Sequence, residues 1–331
     1  MGRLRVGMMG CGSIARVHAA KLAGMDEVRL VAFADVIKEK AAAFSRKYGG
    51  NVYTDWHEML DRESLDIVYI CIPPFAHTDE VMVAAEKGIH IFIEKPIALD
   101  VKLAREMVRA VDKYGVKSQV GYAMRFKYSL ERAKKMIEDG EAGRVGLALG
   151  IYWCHYLGVK WWRDKSKSGG QIVEQATHIY DALRYLCGDV EEVYGYNNKV
   201  FWIDVPDLTI EDVSSSTFRF KSGAVGSIIS TTWGVPSQWW FRWLLATEGY
   251  TLESTDPDTL TMYRTEAPLK VCTVSESRDA YALESKDLIR AIKEDGETKI
   301  PISEGAKSLE FTLATMRSME TGKPVKLPLK S

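Results

Sequence analysis

Leu4-Arg-Val-Gly-Met-Met-Gly-Cys-Gly-Ser-Ile-Ala-Arg16 runs from an apolar stretch through a glycine turn into a helix-forming segment. Within it, Met9-Gly10-Cys11-Gly12-Ser13-Ile14-Ala15 fits the pattern G-x-G-x-x-G/A. The first glycine allows a tight turn, the second lets the backbone approach a pyrophosphate, and Ala15 lets helix and strand pack closely. A helix opening here, with Ser13 as its capping residue, offers unsatisfied N–H groups and a positive dipole end to phosphates. Glycines after a strand often make only a turn, so the context carries the reading. Asp35 stands about twenty positions on, where a carboxylate hydrogen-bonds the adenosine ribose hydroxyls and repels a 2′-phosphate. Val36 and Ile37 after it supply no arginine to receive that phosphate. The loop points to a dinucleotide, NAD in preference to NADP, held by Gly10, Gly12, Ser13, Ile14 and Asp35. A simple N-cap role for Asp35 is compatible with both.

Outward from this loop, the first 120 or so residues alternate short apolar runs with helix-length segments. The runs are Leu4–Met9, Val28–Ala34, Ile67–Ile72 and His90–Ile93, with Lys117–Gly121 as a weaker fifth. Runs apolar on successive residues suit strands buried on both faces of a parallel sheet. Helices are expected at Ser13–Gly24, Ile37–Tyr48, Thr78–Lys87 and Asp100–Tyr114, the last opening on Asp and ending at Gly115. This alternation predicts a doubly wound α/β domain over residues 1–122. The pattern then changes. A helix at Tyr128–Asp139, a β run at Val145–Tyr156, a loop at Lys160–Gly170 and a helix at Gly170–Cys187 follow. Ser215–Phe220, Ala224–Thr232 and Trp243–Thr247 read as strands of a mostly antiparallel sheet, and helices at Tyr281–Glu294 and Ser303–Thr321 close the chain. Residues 123–331 are thus expected to form an α+β domain with the junction near 120–125.

The bulk numbers agree with a two-domain globular protein. The chain has 331 residues, more than a single core usually supports, with 46% hydrophobic and 27% charged residues. Lys plus Arg (44) balances Asp plus Glu (45), which argues against nucleic acid or an anionic membrane as the main partner. No apolar run reaches the roughly eighteen residues of a membrane span, and the start lacks the apolar stretch of a signal peptide. The five cysteines, Cys11, Cys71, Cys154, Cys187 and Cys272, are scattered without any C-x-x-C pair. That reads as reduced thiols, with neither a disulfide framework nor a zinc site, and the expected compartment is the cytoplasm.

Ile91-Phe-Ile-Glu94-Lys95-Pro96 places Lys95 at the carboxyl end of a parallel strand, where such sheets bind ligands. An isolated Glu-Lys-Pro is more often a surface turn. Here the glycine loop, Asp35, Pro73-Pro74 and Glu94-Lys95-Pro96 occur in one order. Trp162-Arg163, Ser168-Gly169-Gly170, Glu174-x-x-x-His178-x-x-Asp181, Thr247-Glu248-Gly249 and Thr321-Gly-Lys-Pro-Val325 follow. Over essentially its whole length the chain resembles the glucose–fructose oxidoreductase/inositol dehydrogenase (Gfo/Idh/MocA) family. The resemblance implies a Rossmann domain followed by a domain with an open sheet whose outer face commonly makes homodimers or homotetramers. It implies an oxidoreductase moving a hydride to or from a secondary alcohol carbon of a sugar, polyol or sugar derivative. By the same likeness Lys95 contacts the reacting hydroxyl and cofactor, and His178 is the general acid/base. Glu174 stands where many members carry Asp, and Ala176 where many carry Gly, so the acid/base pairing departs from the family pattern.

On a regular helix Glu174, His178 and Asp181 fall at i, i+4 and i+7 and share one face. A histidine of near-neutral pKa suits proton transfer in either direction, and a lysine stabilises an alkoxide electrostatically. Glu174 completes the expected catalytic set with Lys95 and His178. Glu174 with His178 lacks a third metal ligand, so no metal is expected. Cofactor contacts are further expected from Pro73, His77, Glu94, Trp162 and Arg163, and substrate contacts from Tyr122 and Trp161. Arg125 reads equally as a substrate donor or a structural salt-bridge partner. His18 is expected on the surface of its helix. Trp239, Trp240, Phe241 and Trp243 form the densest aromatic cluster, read here as a subunit interface. Two other functions compete: an NAD-dependent glycosidase working by transient oxidation, and a non-catalytic NAD-binding regulatory protein.

Overall fold

The computed structural model describes residues 2–330. The apolar runs near the start become β1 (Leu4–Met9), β2 (Val28–Ala34), β4 (Ile67–Ile70), β5 (His90–Ile93) and β6 (Ser118–Val120), alternating with α1 (Ser13–Leu22), α2 (Lys38–Tyr48), α4 (Glu80–Glu86) and α5 (Val101–Tyr114). Between α2 and β4 lie two elements absent from the sequence reading, β3 (Asn51–Tyr53) and α3 (Trp56–Arg62). β3 is three residues of an edge strand, too short to show a periodicity. α3 is a short polar helix capped by Asp55, which accepts from His57 N–H. The six strands pair in the order β3-β2-β1-β4-β5-β6, every pair parallel. β4 and the last three residues of β5 are fully buried, because helices cover both faces of the sheet. This is the doubly wound order that places strand carboxyl ends along a ligand crevice.

The first compact unit is not one continuous stretch. It contains the residues up to Ala123 and also Asp279–Ala306, which carries α9 (Ala280–Glu294) and the first turn of α10 (Ile302–Thr321). The linear division 1–122 and 123–331 is corrected accordingly. The return is anchored locally: Thr298 Oγ1 donates to Ser118 O, Val120 N–H donates to Ile300 O, and Asp279 caps α9 through Ala282 N–H.

The second unit comprises Met124–Arg278 and the residues from Lys307 onward. Its helices are α6 (Tyr128–Glu138), the one-turn α7 (Lys165–Ser168) and α8 (Thr177–Cys187). Its strands are β7 (Val145–Cys154), β8 (Val190–Asn198), β9 (Val213–Phe220), β10 (Val225–Thr231), β11 (Trp239–Thr247), β12 (Tyr250–Asp256), β13 (Thr259–Arg264), β14 (Val271–Ser275) and β15 (Val325–Lys326). They form a nine-stranded sheet ordered β14-β13-β12-β11-β7-β10-β9-β8-β15, antiparallel except for the β7–β10 pair. Alternation along β9 buries Phe218 and Phe220 under the rest of α10, where Phe311 meets the rings of Phe218 and Tyr180, each 4.9 Å away. Burying such side chains contributes about 1.5–3 kcal/mol each. The opposite face of the sheet is open, with Leu147, Leu149, Val225 and Ile229 exposed.

Candidate active site

In the first unit the glycine loop has the geometry its sequence requires. Gly10 has φ +84°, and a Cβ there would lie 2.4 Å from the Cys71 carbonyl oxygen, so only glycine fits. Gly12, not Ser13, is the N-cap of α1, and no side chain caps the helix. Ser13 is the exposed first helical residue, which corrects its reading as a cap. The first turn of α1 carries no acidic residue, and a Cβ at Gly12 would meet nothing within 4 Å. Backbone donors therefore face open space, as a pyrophosphate requires. Ile14 is half-buried against the core beneath the loop. Asp35 Oδ2 accepts the Cys11 N–H at 2.8 Å and Oδ1 accepts the Ile37 N–H at 2.8 Å, which pins the carboxylate at the loop's mouth. Each oxygen retains a lone pair for a ribose hydroxyl. Val36 is 89% exposed, so an apolar side chain occupies the position next to the carboxylate. These residues fit NAD. Burial first, and then the Asp35 charge, push the Cys11 thiol up to about 12, so it stays a neutral thiol beside the loop.

Lys95 follows β5 and is joined to Pro96 by a cis peptide bond. Glu94 faces inward. Its Oε1 lies 2.6 Å from His18 Nε2 and its Oε2 accepts the Lys95 N–H at 3.1 Å. The expectation of Glu94 as a cofactor contact is replaced by this role in holding the turn. His18 is fully buried, not on the helix surface, because the α1 face it occupies packs on β4, β5 and α9. Pro73 opens a short 3-10 turn (Pro74–Ala76) after β4 and is half-buried. His77 ends that turn with its side chain only 1% exposed and Nδ1 2.5 Å from Glu80 Oε1. Nδ1 is thus committed to Glu80, while Nε2 has no hydrogen-bond partner. Burial alone would raise the Glu80 carboxyl. The His77 contact and the Thr78 N–H outweigh burial and hold it below the usual carboxylate value. Tyr122 is 1% exposed.

In the second unit the expected helix over 170–187 begins with a π-helical segment, Ile172–Ala176, before α8. Glu174 lies in that segment, so its spacing to His178 is not that of a regular α-helix, and the one-face alignment with Asp181 is corrected. Glu174 is buried and His178 half-buried. Asp181 is turned onto Arg125: Arg125 Nε donates to Oδ2 at 2.8 Å and Nη2 to Oδ1 at 2.6 Å, with both side chains 1% exposed. Arg125 is therefore a structural partner, and it is removed from the substrate set. Trp161, Trp162 and Arg163 sit half-buried on a 3-10 turn (Lys160–Arg163) within the expected loop.

Strand alternation splits the aromatic cluster. Trp239, Phe241 and Trp243 pair with Cys154, Tyr152 and Gly150 on the face that α8 covers, whereas Trp240 pairs with Trp153 on the open face. Only Trp240 can serve an interface there. On the α8 face a row of rings leads away from His178, with centroid separations of 6.5 Å to Tyr152, 6.2 Å on to Trp239 and 5.6 Å on to Tyr156. Four buried acids escaped the sequence reading: Glu80, Glu211, Asp212 and Glu284. Glu211 Oε1 accepts the Ile172 N–H at 3.0 Å and so caps the π segment, and burial raises its pKa. Neither Glu211 nor Glu284 belongs to a motif, so nothing in the sequence marks them.

Sheet order, glycine loop and the carboxylate that follows β2 define the first unit as a dinucleotide-binding domain. Two family models agree. The NAD-binding Rossmann domain of the GFO/IDH/MocA oxidoreductase family matches residues 4–122, and the GFO/IDH/MocA C-terminal domain matches residues 130–250. The chain belongs to this family. It is 25% identical to a myo-inositol 2-dehydrogenase from Thermotoga maritima over 98% of both chains. It is 30% identical to a D-glucoside 3-dehydrogenase from Escherichia coli over 67% of this chain and 68% of that one. A solved levoglucosan dehydrogenase in complex with NADH, 23% identical, shares the fold over 99% of this chain and 100% of that one with a TM-score of 0.91. Among the described residues no helix is long and apolar enough to cross a membrane.

Proposed function

We propose that this protein is an NAD-dependent dehydrogenase that oxidises, or in reverse reduces, a secondary alcohol carbon of a sugar, polyol or sugar derivative. The observation that carries the reading is the fixing of Lys95 at the carboxyl end of β5 by Glu94, in the same parallel sheet as the open glycine loop and Asp35. Gly10, Gly12, Ser13, Ile14 and Asp35 hold the dinucleotide, with Pro73, Trp162 and Arg163 as further contacts. When bound, NAD supplies the hydride acceptor. Lys95 donates a hydrogen bond to the reacting oxygen as negative charge builds there. His178 takes the hydroxyl proton, or returns it in reduction, and Glu174 and Trp161 hold neighbouring substrate groups. Tyr122, buried beside the turn that follows β6, is a further candidate substrate contact. The relatives named for inositol and glucoside oxidation support this substrate class.

The exposed apolar residues of the open sheet face, with Trp240 and Trp153 stacked at 5.3 Å, support a homodimer or homotetramer built through that face. The five free cysteines support a cytoplasmic enzyme. The test is NADH formation with NAD and a panel of inositols, aldoses and glycosides. Turnover of at least one, lost in Lys95→Met and His178→Ala, is the expected result. Tight NAD binding with no NADH from any member would overturn the reading, and sugar release without net NADH would favour the glycosidase.

A further inference from the structure

The Glu94-Lys95-Pro96 turn rests on a buried cluster of titratable groups that the proposed proton and oxygen contacts do not use. His18 on α1 has Nε2 2.6 Å from Glu94 Oε1, and its Nδ1 lies 3.8 Å from Oε1 of Glu284 on α9. The side chains of His18 and Glu284 are 0% exposed and that of Glu94 is 9% exposed. Neither Glu284 oxygen has a hydrogen-bond partner, so an enclosed carboxyl faces only the imidazole and its surroundings. The pocket walls are Phe92, Tyr69 and Tyr281, with ring centroids 4.6, 5.6 and 5.8 Å from the His18 ring. Two further titratable groups lie within electrostatic reach: the Cys71 thiol after β4, whose pKa is raised by burial first and then by Glu94, and Asp279 at the start of α9, whose charge acts on Glu284 and which is paired with Lys21 at 2.7 Å. Gly121 makes room: a Cβ there would lie 2.7 Å from Glu94 Oε2, the atom that accepts the Lys95 N–H.

Two carboxylates share one imidazole here, and an uncompensated buried charge is strongly disfavoured. Glu94 has two contacts at hydrogen-bond distance and some contact with solvent. Glu284 has neither and keeps its proton. Burial, followed by the Glu94 and Asp279 charges, lifts its carboxyl well above the usual range. The ligand atoms of the three residues also lie within 4.8 Å of one another, a spacing open to a metal ion. Two of them are already at hydrogen-bond distance, closer than two donors on one zinc ion with bonds of about 2.0–2.2 Å would sit, and burial leaves no entry path.

We propose that His18, Glu94 and Glu284 form one buried relay that fixes the backbone of Lys95, with His18 as a positioning residue that never touches substrate. His18 sits between the two acids, at hydrogen-bond distance from Glu94 and 3.8 Å from Glu284. Glu94, held on one side by the imidazole, accepts the Lys95 amide on the other and so sets the direction in which the ammonium leaves the strand. The inference rests on the reading of Lys95 as the residue that contacts the reacting oxygen, but its structural part is testable without turnover.

The test uses full-length His18→Phe, His18→Gln and Glu284→Gln. Infrared spectra of the wild type should show the carbonyl stretch of a protonated carboxyl that is lost in Glu284→Gln. Lysine residues labelled by ¹³C reductive methylation, with Lys95 assigned through Lys95→Arg, should show a shifted Lys95 resonance in His18→Phe. In kinetics, kcat should fall about tenfold or more in His18→Phe with KM for NAD unchanged within about twofold, and His18→Gln, which retains an N–H donor, should recover part of it. If His18→Phe fails to fold, the Gln variants and the infrared band still decide. A Lys95 resonance and kcat unmoved in the histidine variants, no carboxyl band, or one equivalent of tightly held metal in the purified protein would each overturn the proposal. Absence of turnover with every alcohol would instead strike the dehydrogenase reading and leave the infrared and NMR results standing.

Discussion

Replacing Arg125 by methionine should destabilise the second unit without a specific effect on substrate binding. The guanidinium makes two parallel contacts to Asp181, at 2.8 and 2.6 Å, and stacks over Tyr185 at 4.7 Å from its ring centre. Methionine keeps much of the stem volume but leaves Asp181 in a site 1% exposed, with the Ser308 hydroxyl at 2.6 Å still donating to it. Breaking a buried pair by removing one member costs about 3–5 kcal/mol, because the remaining charge is uncompensated. A unit of 150–250 residues loses about 2–4 °C per kcal/mol, so the melting temperature should fall by about 6–20 °C. Removing both charges, in Arg125→Met with Asp181→Leu, should recover most of that loss, since an apolar pair of similar volume does not carry the stranded charge. Calorimetry on the two variants, with KM for the best alcohol measured well below the melt, separates the roles. An Arg125→Met protein that melts with the wild type while its alcohol KM rises steeply would refute the assignment and return Arg125 to the substrate site.

Asp35→Ser should raise KM for NAD about tenfold or more and allow NADP to be used, measured as the ratio of kcat/KM for the two cofactors; an unchanged ratio would remove Asp35 from ribose recognition. The Glu284 carboxyl has a folded-state pKa above its unfolded value of about 4.5, so the folded state binds the extra proton. Its stabilising contribution is complete below that unfolded value and is lost as pH rises toward the folded one. Melting temperature should therefore decline across that window in the wild type and more shallowly in Glu284→Gln. Iodoacetamide should modify Cys272 alone under native conditions, because it is exposed whereas Cys11, Cys71, Cys154 and Cys187 are buried, with burial raising the pKa of each buried thiol; peptide mapping by mass spectrometry checks this.

Most strands of the first unit were legible because they are largely apolar, β4 without interruption, and the glycine loop because Gly10 meets a backbone contact that no other residue tolerates. β3 was not legible, since three residues at a sheet edge show no period. The return of Asp279–Ala306 to the first unit was hidden because an amphipathic helix reads the same whichever sheet it covers. The site divided along the same line. Ordered motifs singled out Lys95 and His178 as candidates, but they did not reveal what each motif neighbour touches: Glu94 and His77 turned inward, His18 left the surface, and Arg125 took Asp181. A side chain's partner is a long-range fact, and the sequence records it only when both members sit in recognisable motifs. The π turn at Glu174 is of the same kind, for the local pattern of Ile172–Ala176 is compatible with an ordinary helix.

Direct hydride transfer from a CH–OH carbon is the central claim, and isotope transfer measures it most directly. The alcohol that the enzyme turns over is supplied deuterated at its carbinol carbons, and the NADH formed is analysed by mass spectrometry. One deuteron in the nicotinamide ring of each NADH, with the sugar recovered as the ketone, is the predicted result. Unlabelled NADH, or a cleaved sugar with no net NADH, would contradict the account.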